Sequence, residues 1–339
     1  MVDSVLAILA GGLSRRFQTK NSLWQDKALI SVDNIPLLVH LLEKGKDHYQ
    51  EICVSVNSFS REKKYRKTLE IFKDKSMPNF VIDRENTQLQ GVFLGMNTVM
   101  KRYSDKSIQF IPSDRPFIEF EILDKMKVEK TSVSVLYYEN GMIEPLLALY
   151  GPQCYFPKQF ERLPLSRGDV LIRLSPRLRL YNVSKIIEEN NLPNYIFENI
   201  NIQEDLKKIR QDDFDLKEIK ISEPKIISRE KPMKFDFSND ETDFFEFIQK
   251  LISKSNFYSA FLWTEFCHSC SLISKEVFLD LGKRALKEEH EYWTNENLPF
   301  LALHSLQDLV IIFPEENNGK NKKKIAELQV QLNIITRGE

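Results

Sequence analysis

Cysteine is scarce in this sequence. Four residues, Cys53, Cys154, Cys267 and Cys270, in a chain of 339 are too few for a disulfide framework. Charge of one sign is missing as well. Lysine and arginine total 48 against 49 aspartates and glutamates, a formal net charge of −1, so no global basic field argues for nucleic acid and any phosphate binding must be local. No apolar run approaches the roughly 20 residues that span a bilayer. The N-terminus enters a strand-like stretch without a basic segment ahead of a long apolar one, so a cytoplasmic protein with neither a leader nor a membrane span is expected. Histidine numbers five. The two in the first two-thirds, His40 and His48, fall on or at the end of a helical pattern, where core or surface roles suit them better than catalysis. Neither G-x-x-x-x-G-K-[ST] nor G-x-G-x-x-G occurs, which excludes a P-loop and the dinucleotide fingerprint.

What remains is an ordinary globular composition, 42% apolar and 29% charged, in a chain long enough for two domains. Short β-rich runs at 5–9, 52–56, 80–83, 108–111, 132–137 and 145–150 predict strands. Helical patterns lie between most of them, such as 36–49 with Leu37, Leu38, Leu41 and Leu42 on one face. Strand, crossover and strand in repetition predict an α/β fold: a three-layer α/β/α, Rossmann-like domain over 1–210, its sheet mainly parallel and covered on both faces. Ligands of such sheets sit beyond the carboxyl ends of the strands. Glycine supports the division. Eight of the eleven (Gly11, Gly12, Gly45, Gly91, Gly95, Gly141, Gly151, Gly168) lie in the first half, where tight strand-to-helix turns are needed. The charge-rich stretch 211–234, with Pro224 and Pro232, reads as a linker. A smaller, mainly helical domain over 235–339 follows, with Phe244, Phe245, Phe247 and Ile248 expected on its core face.

The stretch "LAILAGGLSRRFQTKNSLWQDKALI", residues 6–30, carries the first chemical signal. Leu9-Ala10-Gly11-Gly12 follows a strand directly, and small residues there let successive backbone amides form an anion-binding nest. Arg15 and Arg16 come within one turn and Lys27 a loop later; they are either solvated surface cations or three charges around one phosphate site. The second signal is "QFIPSDRPFI", residues 109–118. A strand delivers Asp114 at its carboxyl end, where the carboxylate either caps the next helix or holds Mg²⁺ shared with substrate phosphates.

The first stretch resembles the L-A-G-G-x-S-x-R-[MF]-…-D-K-x-L signature of the molybdenum cofactor guanylyltransferases, with Asp26-Lys27 where sugar-activating relatives have Pro before the lysine. Other blocks are similar in the same order: "VSVN" with Asn57, "GVFLGM" with Gly91 and Gly95, the Asp114 block, "IEPLLALY", and "FENINIQEDL" with Asn199 and Asn201. Together they cover roughly residues 4–206. The resemblance implies a nucleotidyltransferase that moves GMP from GTP to the terminal phosphate of molybdopterin with release of pyrophosphate. It implies Asp114 as the Mg²⁺ ligand, and the amides of Leu9, Ala10, Gly11 and Gly12 with Arg15, Arg16 and Lys27 on the triphosphate. Asn57, Asp83, Gly91 and Gly95 would then line the nucleoside, and Asn199 and Asn201 the pterin acceptor. The chain departs from the family in its longer loop before Lys27, in lacking Pro in the G-P-L-A-G block, and in Arg84, which stands where the family's acidic base-facing residue falls.

Such a transfer asks little of the protein chemically. An ionised phosphate attacks without a general base, so catalysis is alignment and neutralisation of charge. Three alternatives stay open: cytidylyl transfer to molybdopterin, guanylyl transfer to a phospho-acid, and a non-catalytic carrier of finished cofactor. In the last part of the chain, "TEFCHSCSL" clusters Cys267, His268 and Cys270, either as a metal site of unusual spacing or as buried thiols. Aromatic residues there suit docking to molybdoenzymes or other proteins of the cofactor pathway. The expected partners are otherwise small-molecule substrates, with no nucleic acid and no membrane.

Overall fold

The computed structural model describes residues 2–12, 25–72, 77–84, 87–154, 156–200, 219–232 and 241–336. Strand β1, Val2–Leu9, leads to a short hairpin of β2, Ser31–Val32, and β3, Ile35–Pro36. Then come α1, Leu37–Lys46; β4, Tyr49–Val56; α2, Phe59–Ile71; β5, Asn79–Ile82; α3, Gly91–Arg102; β6, Ser107–Pro112; and α4, Phe120–Lys125. Strands β7, Ser132–Tyr137, and β8, Ile143–Tyr150, precede α5, Val170–Leu174; β9, Arg177–Asn182; α6, Val183–Asn190; and β10, Lys225–Ser228. Helices α7, Glu241–Ser253; α8, Phe257–Ser269; α9, Lys275–Asn295; α10, Pro299–Ile312; and α11, Gly319–Thr336, complete the order. No described helix is long and apolar enough to cross a membrane.

The sheet runs β10-β9-β7-β8-β6-β1-β4-β5. Strand β1 is parallel to both neighbours, β4 and β6, and β5 is parallel to β4. The carboxyl ends of β1, β4, β5 and β6 therefore share one rim. The other half is mixed. Strand β8 runs antiparallel to β6 and β7, β9 returns parallel to β7, and β10 closes the edge antiparallel to β9. Six strands match the apolar runs expected from the sequence. Residues 225–228, inside the stretch read as a linker, instead form the edge strand β10.

Side chains of β1 alternate between two cores, as the period of a strand requires. Leu6 and Ile8 join α1, α2, α4 and α6 on one face. Val5 and Ala7 join α3 and α5 on the other, and there the same cluster continues without a break into α7, α8, α9 and α10. Phe160 and Trp263 meet edge to face across this junction. Phe244, Phe247 and Ile248 are buried as expected, but Phe245 is 42% exposed, because it falls on the opposite side of α7.

Polar contacts bind the helices to the sheet as firmly. Arg173 of α5 is fully buried and grips Glu289 of α9 with both ends of its fork, at 3.0 and 2.6 Å, while its Nη1 donates to Asp308 of α10 at 2.6 Å. Its guanidinium lies 3.6 Å over the Tyr258 ring. Nearby, Asp169 meets His304 at 2.7 Å. Burial works to raise that carboxyl, but His304 and then Arg173 and Arg167 hold it well below the usual range. The β7–β8 turn also touches this layer. Gly141 has φ +79, and a Cβ there would overlap Pro299 of α10.

Candidate active site

The bend after β1 is placed by the neighbouring strand ends. Ala10 donates its amide to the Ser55 carbonyl at 2.9 Å, and the Ser113 amide donates to the Leu9 carbonyl at 3.1 Å. The bend is thereby pinned between β4 and β6. Gly11 lies against Asn57, whose backbone nitrogen would be 3.4 Å from a Cβ at that position, whereas Gly12 has nothing within 4 Å on that side among the described residues. The chain thus passes from buried Ala10 to exposed Gly12 within two residues, and opens at the rim where ligands of such sheets sit.

Lys27 and Asp114 meet at this rim from positions 87 residues apart, Nζ to Oδ2 at 2.8 Å. Asp26 begins the 3-10 turn Lys27–Leu29, accepting from the Ala28 amide at 3.3 Å, which fixes the root of the lysine. Asp114 does not cap a helix. The next helix starts at Phe120 with Glu119 at its cap, so that structural role falls away. The other carboxylate oxygen of Asp114, Oδ1, is buried without a hydrogen-bond partner among the described residues, and so is Oδ1 of Asn199. The two residues are neighbours, since the Ile200 amide donates to the Asp114 carbonyl at 2.9 Å. Arg115, fully buried, pairs with Glu144 at 2.5 Å and donates to the Phe197 carbonyl, tying the turn that carries Asp114 to the segment that carries Asn199.

On the other side, Asp83 follows β5 and donates its amide to the Val56 carbonyl at 2.9 Å. Burial pushes its carboxyl up to about 6, against the pull of Arg61. Gly95 is buried beneath it: a Cβ there would stand 2.9 Å from Ser55 Oγ and 3.4 Å from Asp83 Oδ1, so this glycine lets α3 lie close on the strand ends. Gly91 is exposed, with φ +55, against Ser166. Arg84 reaches Glu161 at 3.6 Å, and Lys101 pairs with the same carboxylate. Burial, then Arg84 and Lys158, bring Lys101 down to about 8.

The structure therefore gathers Leu9, Ala10, Gly11, Gly12, Lys27, Asn57, Asp83, Gly91, Asp114 and Asn199 along one rim, with Gly95 beneath it, but the Ala10 amide, expected on the triphosphate, is taken up by the Ser55 carbonyl instead. Arg15, Arg16 and Asn201 lie outside the described residues. Three residues at the rim escape the sequence reading in this role: Arg61 and Tyr65 of α2, and Asp26 as their partner. Their signal is a buried i, i+4 pair on a helix that is otherwise charged. Away from the rim, Cys267 is in the core, its thiol pushed up to about 12 by burial and then by Cys270. His268 stacks on Phe278. Among the described residues, no group of three or more His, Cys, Asp or Glu is arranged to hold a metal ion, although a magnesium site completed by substrate phosphates and water needs only one or two carboxylates.

The family model described as MobA-like NTP transferase domain matches residues 6–174. The molybdenum cofactor guanylyltransferase of Haemophilus influenzae (strain ATCC 51907 / DSM 11121 / KW20 / Rd) is 29% identical over 206 residues, 59% of this chain and 94% of its own length. That of Histophilus somni (strain 2336) is 26% identical over 206 residues, 59% of this chain and 93% of its own length. Molybdopterin-guanine dinucleotide biosynthesis protein A from Archaeoglobus fulgidus superimposes with a TM-score of 0.45 and 22% identity, over 60% of this chain and 95% of that one. Residues 175–339 lie beyond the family match. Residues 6–174 thus belong to the MobA-like NTP transferase family, and the chain is an enzyme, a nucleotidyltransferase.

Proposed function

We propose that the protein transfers GMP from GTP to the terminal phosphate of molybdopterin and releases pyrophosphate, with Mg²⁺ held at Asp114. The observation that carries this reading is the Lys27–Asp114 pair at 2.8 Å. It brings a cation and a carboxylate from distant parts of the chain to the open end of the β1 bend, as a metal-bound triphosphate requires. The relatives named above are guanylyltransferases of the molybdenum cofactor, which supports guanosine and the pterin as substrates.

The donor chemistry fits magnesium, a hard ion that takes oxygen ligands: the buried Oδ1 of Asp114 lacks a partner among the described residues. When bound, the ion neutralises phosphate charge as it builds on the leaving group. The chain's own residues do the rest. Amides at Gly11 and Gly12 donate to phosphate oxygens, Lys27 moves from Asp114 to the leaving pyrophosphate, and Asn57 and Asp83 face the nucleoside. Asn199 stands beside Asp114 on the side left for the acceptor. No residue is needed as a base, because the attacking phosphate is already ionised at neutral pH.

The test mixes purified protein, Mg²⁺ and molybdopterin with GTP, CTP, ATP or UTP in parallel and measures pyrophosphate. GTP-dependent release, abolished in Asp114→Ala without a change in the far-UV circular dichroism spectrum, is expected. Release only with CTP would reassign the base. Tight binding of finished dinucleotide without any pyrophosphate would mark a carrier and sink the reading.

A further inference from the structure

Helix α2 has no obvious reason to bury an arginine. Its sequence, FSREKKYRKTLEI, is mostly polar, yet Arg61, Tyr65 and Leu69 form one inward stripe at four-residue spacing, and Arg61 is 8% exposed. A guanidinium leaves water only where acceptors and opposite charge replace it. Here those acceptors belong to the rim. Arg61 Nη1 donates to the carbonyl of Gly12 at 3.1 Å and, more weakly, to that of Ala10 at 3.4 Å. Its Nε stands 3.4 Å from Asp26 Oδ2. Tyr65 lies one turn behind, its hydroxyl 3.0 Å from the Ala10 carbonyl and 3.0 Å from each Asp26 oxygen. That hydroxyl has one proton and serves these acceptors in turn. Burial, and then the charge of Asp26, hold its pKa well above the ordinary tyrosine value, so it remains a donor wherever the enzyme works.

The geometry of the peptide unit turns this knot into a directional device. In a trans peptide the C=O of one residue and the N–H of the next point in opposite directions. With the Ala10 carbonyl drawn toward α2, the Gly11 amide faces away from α2. The Ala10 and Gly12 carbonyl oxygens, which would repel a phosphate, are turned inward, and the Gly11 donor is left on the ligand side. The same knot fixes Asp26, the residue before Lys27, and Lys27 reaches Asp114. One arginine therefore governs the direction of the bend and the root of the lysine.

We propose that Arg61, backed by Tyr65, is the positioning residue of the triphosphate site, tying the Ala10 and Gly12 carbonyls and the Asp26 carboxylate together so that the bend's amides and Lys27 face the phosphates. The proposal rests on the reading of this rim as a nucleotide site. A merely structural arginine, when replaced, weakens every ligand alike or only lowers the melting temperature. A positioning arginine is felt by the β- and γ-phosphates and hardly at all by a nucleoside monophosphate.

Isothermal titration calorimetry on the full chain with Mg²⁺ separates the two, using GTP and GMP, with CTP and CMP alongside, on the wild type, Arg61→Gln, Arg61→Lys and Tyr65→Phe. In Arg61→Gln we expect triphosphate affinity to fall about tenfold, the loss of one to two net hydrogen bonds, while monophosphate affinity changes less than about twofold. Arg61→Lys, which keeps the charge without the fork, recovers part of the loss. In turnover, KM for the triphosphate rises by the same factor and KM for the acceptor stays put. Equal losses for triphosphate and monophosphate, or unchanged triphosphate affinity, overturn the proposal. If Arg61→Gln does not fold by thermal melting, Tyr65→Phe decides: a selective loss of triphosphate affinity supports the proposal, and no change overturns it. Failure of the underlying reading looks different. The wild type would then bind neither triphosphate more tightly than its monophosphate, and the proposal would fall with it.

Discussion

Replacing Glu289 with alanine tests how the helical layer is held to the catalytic sheet. The carboxylate is fully buried and takes two hydrogen bonds from Arg173, at 3.0 and 2.6 Å, and one from the Trp293 indole at 3.2 Å. Alanine removes two charge-assisted bonds, each worth about 1.5–3 kcal/mol net, and leaves a buried indole donor without its acceptor. Arg173 keeps its bond to Asp308, so its charge is not wholly orphaned. The expected cost is then about 3–5 kcal/mol, the range for breaking a buried pair from one side. In a chain of this size that corresponds to a fall in melting temperature of roughly 6–10 °C, at about 2 °C per kcal/mol. Urea unfolding at neutral pH, followed by tryptophan fluorescence, measures it directly. The companion variant replaces Arg173 with methionine and Glu289 with leucine together. It removes both charges, and Asp308 retains Arg167 at 3.4 Å, so this double variant should be more stable than Glu289→Ala alone. A single variant that loses less than about 1 kcal/mol would refute the reasoning, as would a double variant less stable than the single one.

Lys27→Ala should weaken GTP binding by roughly tenfold to a hundredfold, the worth of one charge-assisted contact, and GMP binding far less; equal losses in a calorimetric titration would remove the lysine from the phosphates. Glu265 supplies a pH test, because burial and then the charge of Asp308 push its carboxyl up to about 7. A carboxyl raised on folding favours the folded state below its ordinary value, and that contribution is lost as pH rises toward 7. Glu265→Gln should therefore melt close to the wild type near pH 4.5 and above it at pH 8, and a gap that stayed constant across this range would contradict the assignment.

The parallel half of the sheet was legible because its strands are short apolar runs, buried on both faces where they are central, as Val5–Ile8 of β1 shows. The reversal at β8 was less plain. Its signal is the brief connection 138–142 after β7, too short for a parallel crossover. Strand β9 alternates Leu178 and Leu180 inward with Arg177 and Arg179 paired to Glu129, a period-2 pattern that its arginines conceal. Strand β10 buries only Ile227, which is too little for composition to register. At the site, the bend, Lys27 and Asp114 stood out by residue type and order, whereas their contact depends on a sheet that joins positions far apart in sequence. Arg61 was hidden for a physical reason. On a helix with Glu62, Lys63, Lys64 and Arg66 beside it, a buried guanidinium looks like one more solvated charge until its acceptors are in view. The continuous core beneath α8 and α10 was invisible for a related reason, since periodicity reveals that a helix face is apolar but not what covers it.

Strand β10 changes what the segment between the two parts can be. Residues 225–228 are stitched by backbone hydrogen bonds to β9, and Arg229 just beyond donates to the carbonyls of Ile172, Arg173 and Ser175. The helices are thus fastened to the sheet by their own leading strand as well as by their side chains. A nick before residue 219 would divide the polypeptide but not the molecule, and a force applied to the helical layer would be felt first at the sheet's outer edge.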